Sequence, residues 1–275
     1  MKFYPLPFDY VIQVDGLAIP GGGVNPNRLP VGGGQMRSVE LDGSAAFLAR
    51  SIHSGQTASD AVIDSQKLLF SSWGELMSDY INLASWNFTG FDLPQEIRLN
   101  PIDRIVQTVN VSTAGGMHTV IRGVKLWPEG SIYLGPERYR EEEFIYSKTL
   151  DNLAQFVGAG ASLAPNIVMN VPVQTDDDAD FVLQWASWYT QDAWTELRIS
   201  LKDGWTRPIS SDYVDVRAAL GPSENVGTED FRTFANGIVF PAGKPILFDF
   251  YLWGPAELGT VTANFSFGGV KRYRA

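Results

Sequence analysis

Apolar and polar residues alternate in short runs throughout the C-terminal part of the chain. Such alternation places successive side chains on opposite faces of a β-strand. The runs are Ile167–Val173, Phe181–Ala186, Leu197–Lys202, Ile246–Trp253 and Val261–Phe267. Short strands separated by turn signals predict an antiparallel β-sandwich. Uneven connections, including a long excursion over residues 203–236, favour a jelly roll for residues 163–275.

The alternation also predicts which side chains form the core. In the run Ile246–Trp253, Phe248 and Phe250 share one face, and Asp249 lies on the other. We therefore expect both phenylalanines to face the core and Asp249 to face the solvent.

The first half of the chain has a mixed pattern. Residues 57–84 carry apolar side chains at helical spacing, and Ser44–Ile52 resembles a second, shorter helix. Ile105–Val111 and Thr119–Leu126 alternate as strands, and the Gly-rich segment between them predicts a hairpin. This pattern predicts helices followed by strands.

Residues 136–156 are predicted to be a charged connector with some helix, and residues 158–162 a linker. These elements predict that residues 36–157 form a mixed α+β domain or a first β-sandwich. The two halves share no strong sequence repeat, although a structural duplication does not require one.

Residues 1–35 contain seven Gly and five Pro. Pro and the two Gly triplets exclude a regular helix or a central strand from most of this stretch, apart from one short strand at Tyr10–Val14. The stretch is predicted to be a surface loop or an extended N-terminal arm that becomes ordered on a neighbouring subunit.

Composition narrows the function. The 275 residues include no Cys and two His, which excludes thiolate chemistry and makes a site with several His ligands improbable. The net charge of −10 argues against general nucleic-acid binding. No secretory signal or apolar run of membrane-spanning length is present. Because no nucleotide-binding or hydrolase motif occurs either, we predict no catalytic residue and no cofactor.

One acidic cluster stands out as a weak candidate for a metal site. Its members are Asp176, Asp177, Asp178 and Asp180. Carboxylate oxygens suit Ca²⁺, but the EF-hand pattern is absent. Three interpretations remain: a solvated turn, a docking patch for a basic partner, and a cation site, in that order of preference.

Two further groups are candidates for ligand binding or subunit contact. The aromatic group is Trp185, Trp188, Tyr189, Trp194 and Trp205, and the basic group at the C-terminus is Lys271, Arg272 and Arg274. The aromatic residues are predicted to be core, interface or sugar-stacking residues. The basic residues are predicted to dock on acidic surfaces or to end the last strand.

Three segments of the chain are distinctive: the Gly/Pro-rich stretch Ile19–Gln35, a hairpin over Asn236–Phe250, and a closing strand Val261–Arg274 that contains Phe267–Val270. Together they resemble parts of bacteriophage virion structural proteins of the jelly-roll or β-sandwich type. The resemblance covers the last third of the chain best and matches no specific family motif. It implies a non-enzymatic subunit of a virion and transfers no catalytic residues.

The resulting expectation is a capsid, neck, collar or tail component, made in the host cytoplasm and located in the virion. It would form a homo-oligomer, contact other virion proteins through its sandwich faces and N-terminal arm, and lack sequence-specific nucleic-acid binding and a membrane span. The alternative is a carbohydrate- or receptor-binding β-sandwich module. A glycan hydrolase with an unlocated pair of carboxylates is a third interpretation.

Overall fold

The structure is a computed structural model, and it is mainly β. It describes residues 3–15, 35–56, 63–76, 90–111, 116–128, 130–131, 133–135, 139–150, 166–190, 196–220, 232–253 and 263–274. Most of these residues lie in antiparallel strands, which confirms the predicted fold class. The chain divides into two compact units. The N-terminal unit is Phe8–Trp127, and the C-terminal unit combines Met1–Pro7 with Pro128–Ala275.

Two four-stranded sheets build the N-terminal unit. Its strands are β1 (Phe3–Asp15, which enters the unit at Phe8), β2 (Gln35–Glu40), β3 (Ala46–Gln56), β4 (Ile63–Phe70), β5 (Gly74–Glu75), β6 (Gly90–Leu99), β7 (Arg104–Val111) and β8 (Gly116–Pro128). One sheet has the order β1-β8-β3-β6 and the other β2-β7-β4-β5.

Two more four-stranded sheets build the C-terminal unit. Its elements are β9 (Tyr139–Leu150), β10 (Asn166–Val173), β11 (Ala179–Thr190), β12 (Glu196–Leu201), β13 (Val214–Asp215), α1 (Val216–Leu220), β14 (Arg232–Phe240), β15 (Ile246–Trp253) and β16 (Ala263–Arg274). The sheet orders are β9-β16-β11-β14 and β10-β15-β12-β13.

The strand order is the same in both units. Counted within each unit, strands one, eight, three and six form one sheet, and strands two, seven, four and five form the other. This arrangement of eight antiparallel strands in two sheets is that of a jelly roll. The jelly roll predicted for the C-terminal half is therefore present, and a second one precedes it.

The predicted helices in the first half are wrong. Residues 46–52 belong to β3, and the described part of the stretch 57–84 contains β4 and β5. Residues 139–150 of the predicted connector form β9. In each case pairing with neighbouring strands overrides a local helical pattern. Among the described residues, α-helix is limited to α1.

Both predicted hairpins are also wrong, although their strands exist. β7 pairs with β2 and β4, whereas β8 lies in the opposite sheet beside β3. Likewise β14 pairs with β11, and β15 pairs with β10 and β12. The chain crosses from one sheet to the other at both places, so consecutive strands face each other across the core.

The predicted N-terminal arm is corrected for residues 3–15, which form β1. Tyr10 and Ile12 are buried in the core of the N-terminal unit, with Phe47 and Ile121 among the same cluster. Residues 16–34 of the predicted arm, and the predicted linker 158–162, lie outside the described residues.

The domain boundary also differs from the expectation. The sequence favoured a division near residue 157, but the two units divide between Trp127 and Pro128. The reason is β9, which pairs along its full length with β16 and so belongs to the C-terminal unit.

The core of the C-terminal unit confirms the predicted register of β15. Phe248 and Phe250 are fully buried, and the Phe248 ring lies 5.0 Å from that of Phe265 in the facing sheet. The prediction that Asp249 faces the solvent is wrong. Asp249 is buried because Lys202 covers it with an ion pair of 2.8 Å and the backbone N–H of Asn170 donates to it at 2.6 Å.

Candidate interaction sites

A buried lysine sits at the end of the N-terminal jelly roll. The ammonium nitrogen of Lys125, in β8, lies 3.3 Å from the ring centroid of Phe8 and 5.5 Å from that of Tyr10. Lys125 also forms an ion pair with Asp42, which follows β2. The Tyr10 hydroxyl donates to the same carboxylate at 3.4 Å. The cation is therefore enclosed by two aromatic faces and one carboxylate.

The C-terminal jelly roll repeats this cluster. The ammonium nitrogen of Lys271, in β16, lies 3.2 Å from the ring centroid of Phe144 and 5.5 Å from that of Tyr146. Lys271 forms an ion pair with Asp176, which follows β10. The backbone N–H of Asp176 donates to the Tyr146 hydroxyl at 3.2 Å. We call these two groups the lysine clusters.

The aromatic packing behind the clusters matches as well. Tyr10 meets Phe47 edge-on at 4.9 Å and 85°, and Tyr146 meets Phe181 edge-on at 4.8 Å and 87°. Phe47 is paired with Lys125, and Phe181 is paired with Lys271, in the two strand ladders.

Short sequence repeats accompany this equivalence. Each unit has Phe-x-Tyr in its first strand, Asp-x-x-Ala-x-Phe leading into its third strand, and Gly-Val-Lys in its eighth strand. The pairs are Phe8–Tyr10 with Phe144–Tyr146, Asp42–Phe47 with Asp176–Phe181, and Gly123–Lys125 with Gly269–Lys271. The structural duplication that the sequence left open is thus present, and these residues mark it.

Electrostatics favours the ionised form of both carboxylates. The hydrogen bond from Lys271 is the main cause that lowers the pKa of Asp176 below 3.8. Burial acts against ionisation of Asp42, but hydrogen bonds from Lys125 and Ser44 outweigh it and lower its pKa too. Burial opposes the charge on Lys271, yet Asp176 and its neighbours raise its pKa above 10.5.

These contacts place the acidic and basic candidates within one unit. Asp176 is paired with Lys271, and Arg272 bonds Glu141 at 3.0 Å. Asp180 is buried and accepts from the Tyr133 hydroxyl at 2.6 Å and from the Ala242 backbone N–H at 2.9 Å. The remaining candidates Asp177, Asp178 and Arg274 are exposed. Lys271 is therefore occupied inside its own chain.

We predict that the Asp176→Asn variant is less stable than the wild type at neutral pH and that its stability decreases less when the pH is lowered. A carboxyl whose pKa falls on folding stabilises the protein above its unfolded pKa, and this contribution disappears as pH falls through the folded value. A lysine whose pKa rises on folding stabilises at pH below 10.5, and its contribution disappears as pH rises through the folded value. The midpoint of thermal unfolding of the wild-type protein should therefore be constant near neutral pH and should fall below about pH 4 and above about pH 10.

The measurement is thermal unfolding of the whole chain across pH 2 to 11. Asp176→Asn should lower the free energy of unfolding at pH 7 by about 1 kcal/mol and flatten the acid limb. The expected loss is small because the Asp176 side chain is 43% exposed, so the solvent weakens its ion pair with Lys271. Asp177→Asn, in the same turn and exposed, is the matched control. An acid limb that is unchanged in Asp176→Asn would contradict the assignment.

Both histidines lie in strands of the N-terminal unit. His53 lies in β3, and its Nε2 is 3.0 Å from the Ser51 hydroxyl oxygen. His118 is buried in β8. No group of three or more His, Asp or Glu side chains that could hold a metal ion occurs among the described residues.

The structure separates the aromatic candidates. Trp185 and Trp188 are three residues apart in β11, and the pairing with β16 is regular between Trp185–Gly268 and Trp188–Phe265. Their side chains therefore lie on opposite faces of the strand. Tyr189 is exposed at the end of the same strand, and Trp205 lies in the turn after β12. Trp194 is outside the described residues. Trp185 and Trp188 therefore cannot contribute to the same flat surface.

Trp205 instead belongs to a cleft that the sequence did not predict. Its walls carry the rings of Tyr4, Tyr133 and Trp205, and the Tyr133 and Trp205 ring centroids are 5.9 Å apart. Ile209 and Ile238 also line the cleft. We call it the Trp205 cleft. Its walls come from four separate parts of the sequence, so no local pattern could have identified it.

The turn that carries Trp205 is held firmly. The Asp203 carboxylate accepts the backbone N–H groups of Trp205 and Arg207, both at 2.9 Å. It also accepts Nε of Arg207 at 2.8 Å and lies 2.7 Å from Nη2 of Arg207. Trp205 is 42% exposed in this position. An exposed Trp beside an Arg on a preorganised turn is typical of a binding surface.

No protein-family model matches the chain, and no curated protein matches its sequence. Among solved structures, the protein is similar to the STIV MCP, with 10% identity, coverage of 98% of this chain and 96% of that chain, and a TM-score of 0.26. It is similar to a chain of the Sulfolobus turreted icosahedral virus (12% identity, TM-score 0.24), covering 89% of this chain but 57% of that longer chain. It is also similar to a chain of the infectious bursal disease virus Gx strain (8% identity, TM-score 0.22), covering 99% and 72%. No helix among the described residues is long and apolar enough to cross a membrane.

Proposed function

We propose that the protein is a non-enzymatic structural protein of a bacteriophage virion. It acts as a capsid, neck, collar or tail component, is made in the host cytoplasm and is located in the particle. The observation that carries the proposal is the tandem of two jelly rolls with identical strand order. Jelly rolls are a common fold of capsid subunits, and a duplicated unit gives one chain two similar building blocks for a shell.

The surface of the described residues supports assembly. Several large apolar side chains are exposed, which indicates contacts with other molecules when they cluster. The most exposed are Ile102 at 71%, Trp73 at 57% and Ile145 at 57%. Ile145 lies on β9, an edge strand of its sheet, where a neighbouring subunit has access to the backbone. Sandwich faces and turns are therefore the proposed contact surfaces.

The alternative, a carbohydrate- or receptor-binding module, depends on stacked aromatic residues. Trp185 and Trp188 lie on opposite faces of β11, so these two residues cannot stack on the same sugar ring. Assembly is for this reason the function that we propose.

The proposal predicts a large, symmetric oligomer. Purified full-length protein should elute from size-exclusion chromatography far above 30.3 kDa and show particles, rings or sheets in negative-stain images. Mass spectrometry of particles from the source should find the chain in many copies. A strict monomer at high concentration that is also missing from such particles would contradict the proposal.

A further inference from the structure

A lysine, an asparagine and an aspartate meet on one sheet of the C-terminal unit. Lys202 directly follows β12, Asn170 lies in β10, and Asp249 lies in β15, the strand between these two. Nζ of Lys202 donates to Oδ1 of Asn170 and to Oδ1 of Asp249, both at 2.8 Å. One ammonium group therefore contacts a side-chain amide and a carboxylate at the same time. We call these three residues the Lys202 site.

The strand ladders explain why the three side chains converge. Asp249 is paired with Ser200, and Lys202 lies two residues after Ser200, so its side chain is on the same face of the sheet. The ladder between β10 and β15 is irregular where Asn170 lies, and Asn170 has a φ of +57°, which Asn adopts more readily than most residues. The backbone N–H of Asn170 donates to Asp249 at 2.6 Å, and this bond holds the amide beside the lysine.

The N-terminal jelly roll, the sister unit, has the same strands without these three groups. The pairs Val39–Ile105 and Val173–Ile246 are equivalent, because each valine lies three residues before the aspartate of its lysine cluster. Counted along the strands from these pairs, the positions of Asn170, Lys202 and Asp249 are occupied in the sister unit by Met36, Leu69 and Thr108. The fold therefore requires neither an ion pair nor an amide at these positions.

Stability of the ion pair does not account for the Lys202 site either. The side chains of Lys202 and Asp249 are 11% and 8% exposed, so both charges are largely removed from water. The desolvation of such a pair offsets most of the attraction between its members. Asn170, in contrast, is exposed, so a small molecule released from its side chain would reach the solvent directly.

We propose that Lys202 and Asn170 react with each other after folding and form an intramolecular amide bond between their side chains. The bond joins Nζ of Lys202 to Cγ of Asn170, and Asp249 transfers protons during the reaction. This modification goes beyond the proposed function and does not depend on it, because it occurs within a single chain.

The atoms and charges of this step balance. Lys202 passes a proton from its ammonium group to Asp249, and the resulting neutral amine attacks Cγ of Asn170. The bond between Cγ and Nδ2 of Asn170 then breaks, and Asp249 returns its proton to the leaving nitrogen. Nζ gives up two of its three protons in all, and these convert the leaving amide nitrogen into an ammonium ion. The reaction is neither an oxidation nor a reduction and needs no cofactor.

The observed distances suit this attack. A carbonyl carbon lies about 1.2 Å from its oxygen, so Nζ of Lys202 is at most about 4 Å from Cγ of Asn170. Reacting atoms meet at about 3–3.5 Å in a productive arrangement. A small rotation of the amide is therefore sufficient, and the contacts of Asp249 with both partners restrict other motions.

Intact-mass spectrometry of the purified full-length chain tests the proposal directly. The folded wild type should be lighter than its sequence mass by one ammonia. Fragmentation of proteolytic peptides should find Lys202 covalently joined to Asn170. A folded wild-type chain with the full sequence mass would overturn the proposal.

Three variants assign the reacting groups. Lys202→Arg keeps the positive charge beside Asp249 but has no amine, and Asn170→Gly removes the amide and suits the left-handed backbone. Both should have their full sequence mass, with circular dichroism showing that they fold. Asp249→Asn should form the bond about 100-fold more slowly, as followed by intact mass after synthesis, because the proton acceptor is lost.

A matched variant controls for a second source of ammonia loss. Asn236 precedes Gly237, and an Asn-Gly sequence can itself lose ammonia by closing into a cyclic imide. Asn236 also has a positive φ, +71°, so Asn236→Gly is the counterpart of Asn170→Gly. The mass deficit should persist in Asn236→Gly and disappear in Asn170→Gly. The reverse result would assign the loss to Asn236 and overturn the proposal.

Discussion

Deletion of residues 1–15 is expected to unfold the N-terminal jelly roll. β1 is the first strand of its sheet, and it buries Phe8, Tyr10, Val11 and Ile12. Burial of one such side chain contributes about 1.5–3 kcal/mol, so the four contribute about 6–12 kcal/mol. This is comparable to the total free energy of unfolding of a typical domain, about 5–15 kcal/mol. The remaining seven strands would also leave β8 exposed as a new sheet edge.

The measurement is circular dichroism together with limited proteolysis of the truncated chain. Fragments from residues 35–127 should be digested rapidly while the C-terminal unit loses less structure. Phe3→Ser, at an exposed position of the same strand, controls for changes at the N-terminus and should unfold like the wild type. If the truncated chain melts at the temperature of the full chain, residues 1–15 are an arm outside the fold.

The N-terminal segment shows why sequence alone predicted an arm. Gly and Pro dominate residues 16–34, and this composition led to the same interpretation for the neighbouring residues. The alternating apolar residues Tyr10, Ile12 and Val14 are a local strand signal, but a strand is stabilised only by its partners. The partner, β8, lies more than 100 residues further along the chain.

The C-terminal half was easier to predict for a physical reason. Its long strands bury aromatic residues such as Phe248 and Phe265 on one face, so the period-two pattern is strong. In the first half, residues 46–52 contain Ala, Leu and Arg, which favour helix, and only pairing with β6 and β8 makes them a strand. Local preference is weak, and tertiary contacts override it.

The hairpin errors and the missed sites have a common cause. Turn residues show that the chain reverses, but not whether the next strand joins the same sheet or the facing one. The Trp205 cleft and the lysine clusters depend on that choice, because each joins residues from strands and turns far apart in sequence. Short repeats such as the tripeptide Gly-Val-Lys, at Gly123–Lys125 and Gly269–Lys271, were the available signal for the duplication, and each is too short to identify a repeat unaided.

Gly269→Ala is expected to destabilise the C-terminal jelly roll by about 3 kcal/mol or more. Gly269 in β16 is paired with Leu183, beside an irregularity in the β11 ladder between Leu183 and Trp185. A Cβ at this position would overlap the backbone carbonyl oxygen of Val182. Because that oxygen belongs to a central strand with partners on both sides, it cannot move without breaking the ladder.

The sister unit makes the same prediction independently. Gly123 is paired with Ala49 beside an irregularity between Ala49 and Ser51, and a Cβ there would overlap the Leu48 carbonyl oxygen. Gly123→Ala should therefore destabilise the N-terminal unit to a similar extent, as measured by urea unfolding of the whole chain. Gly43→Ala, with no atom within 4 Å of its new methyl group, should stay within about 0.5 kcal/mol of the wild type. If Gly123→Ala and Gly269→Ala were as stable as Gly43→Ala, the shared ladder irregularity would not constrain these positions, and the two glycines would be interchangeable with alanine.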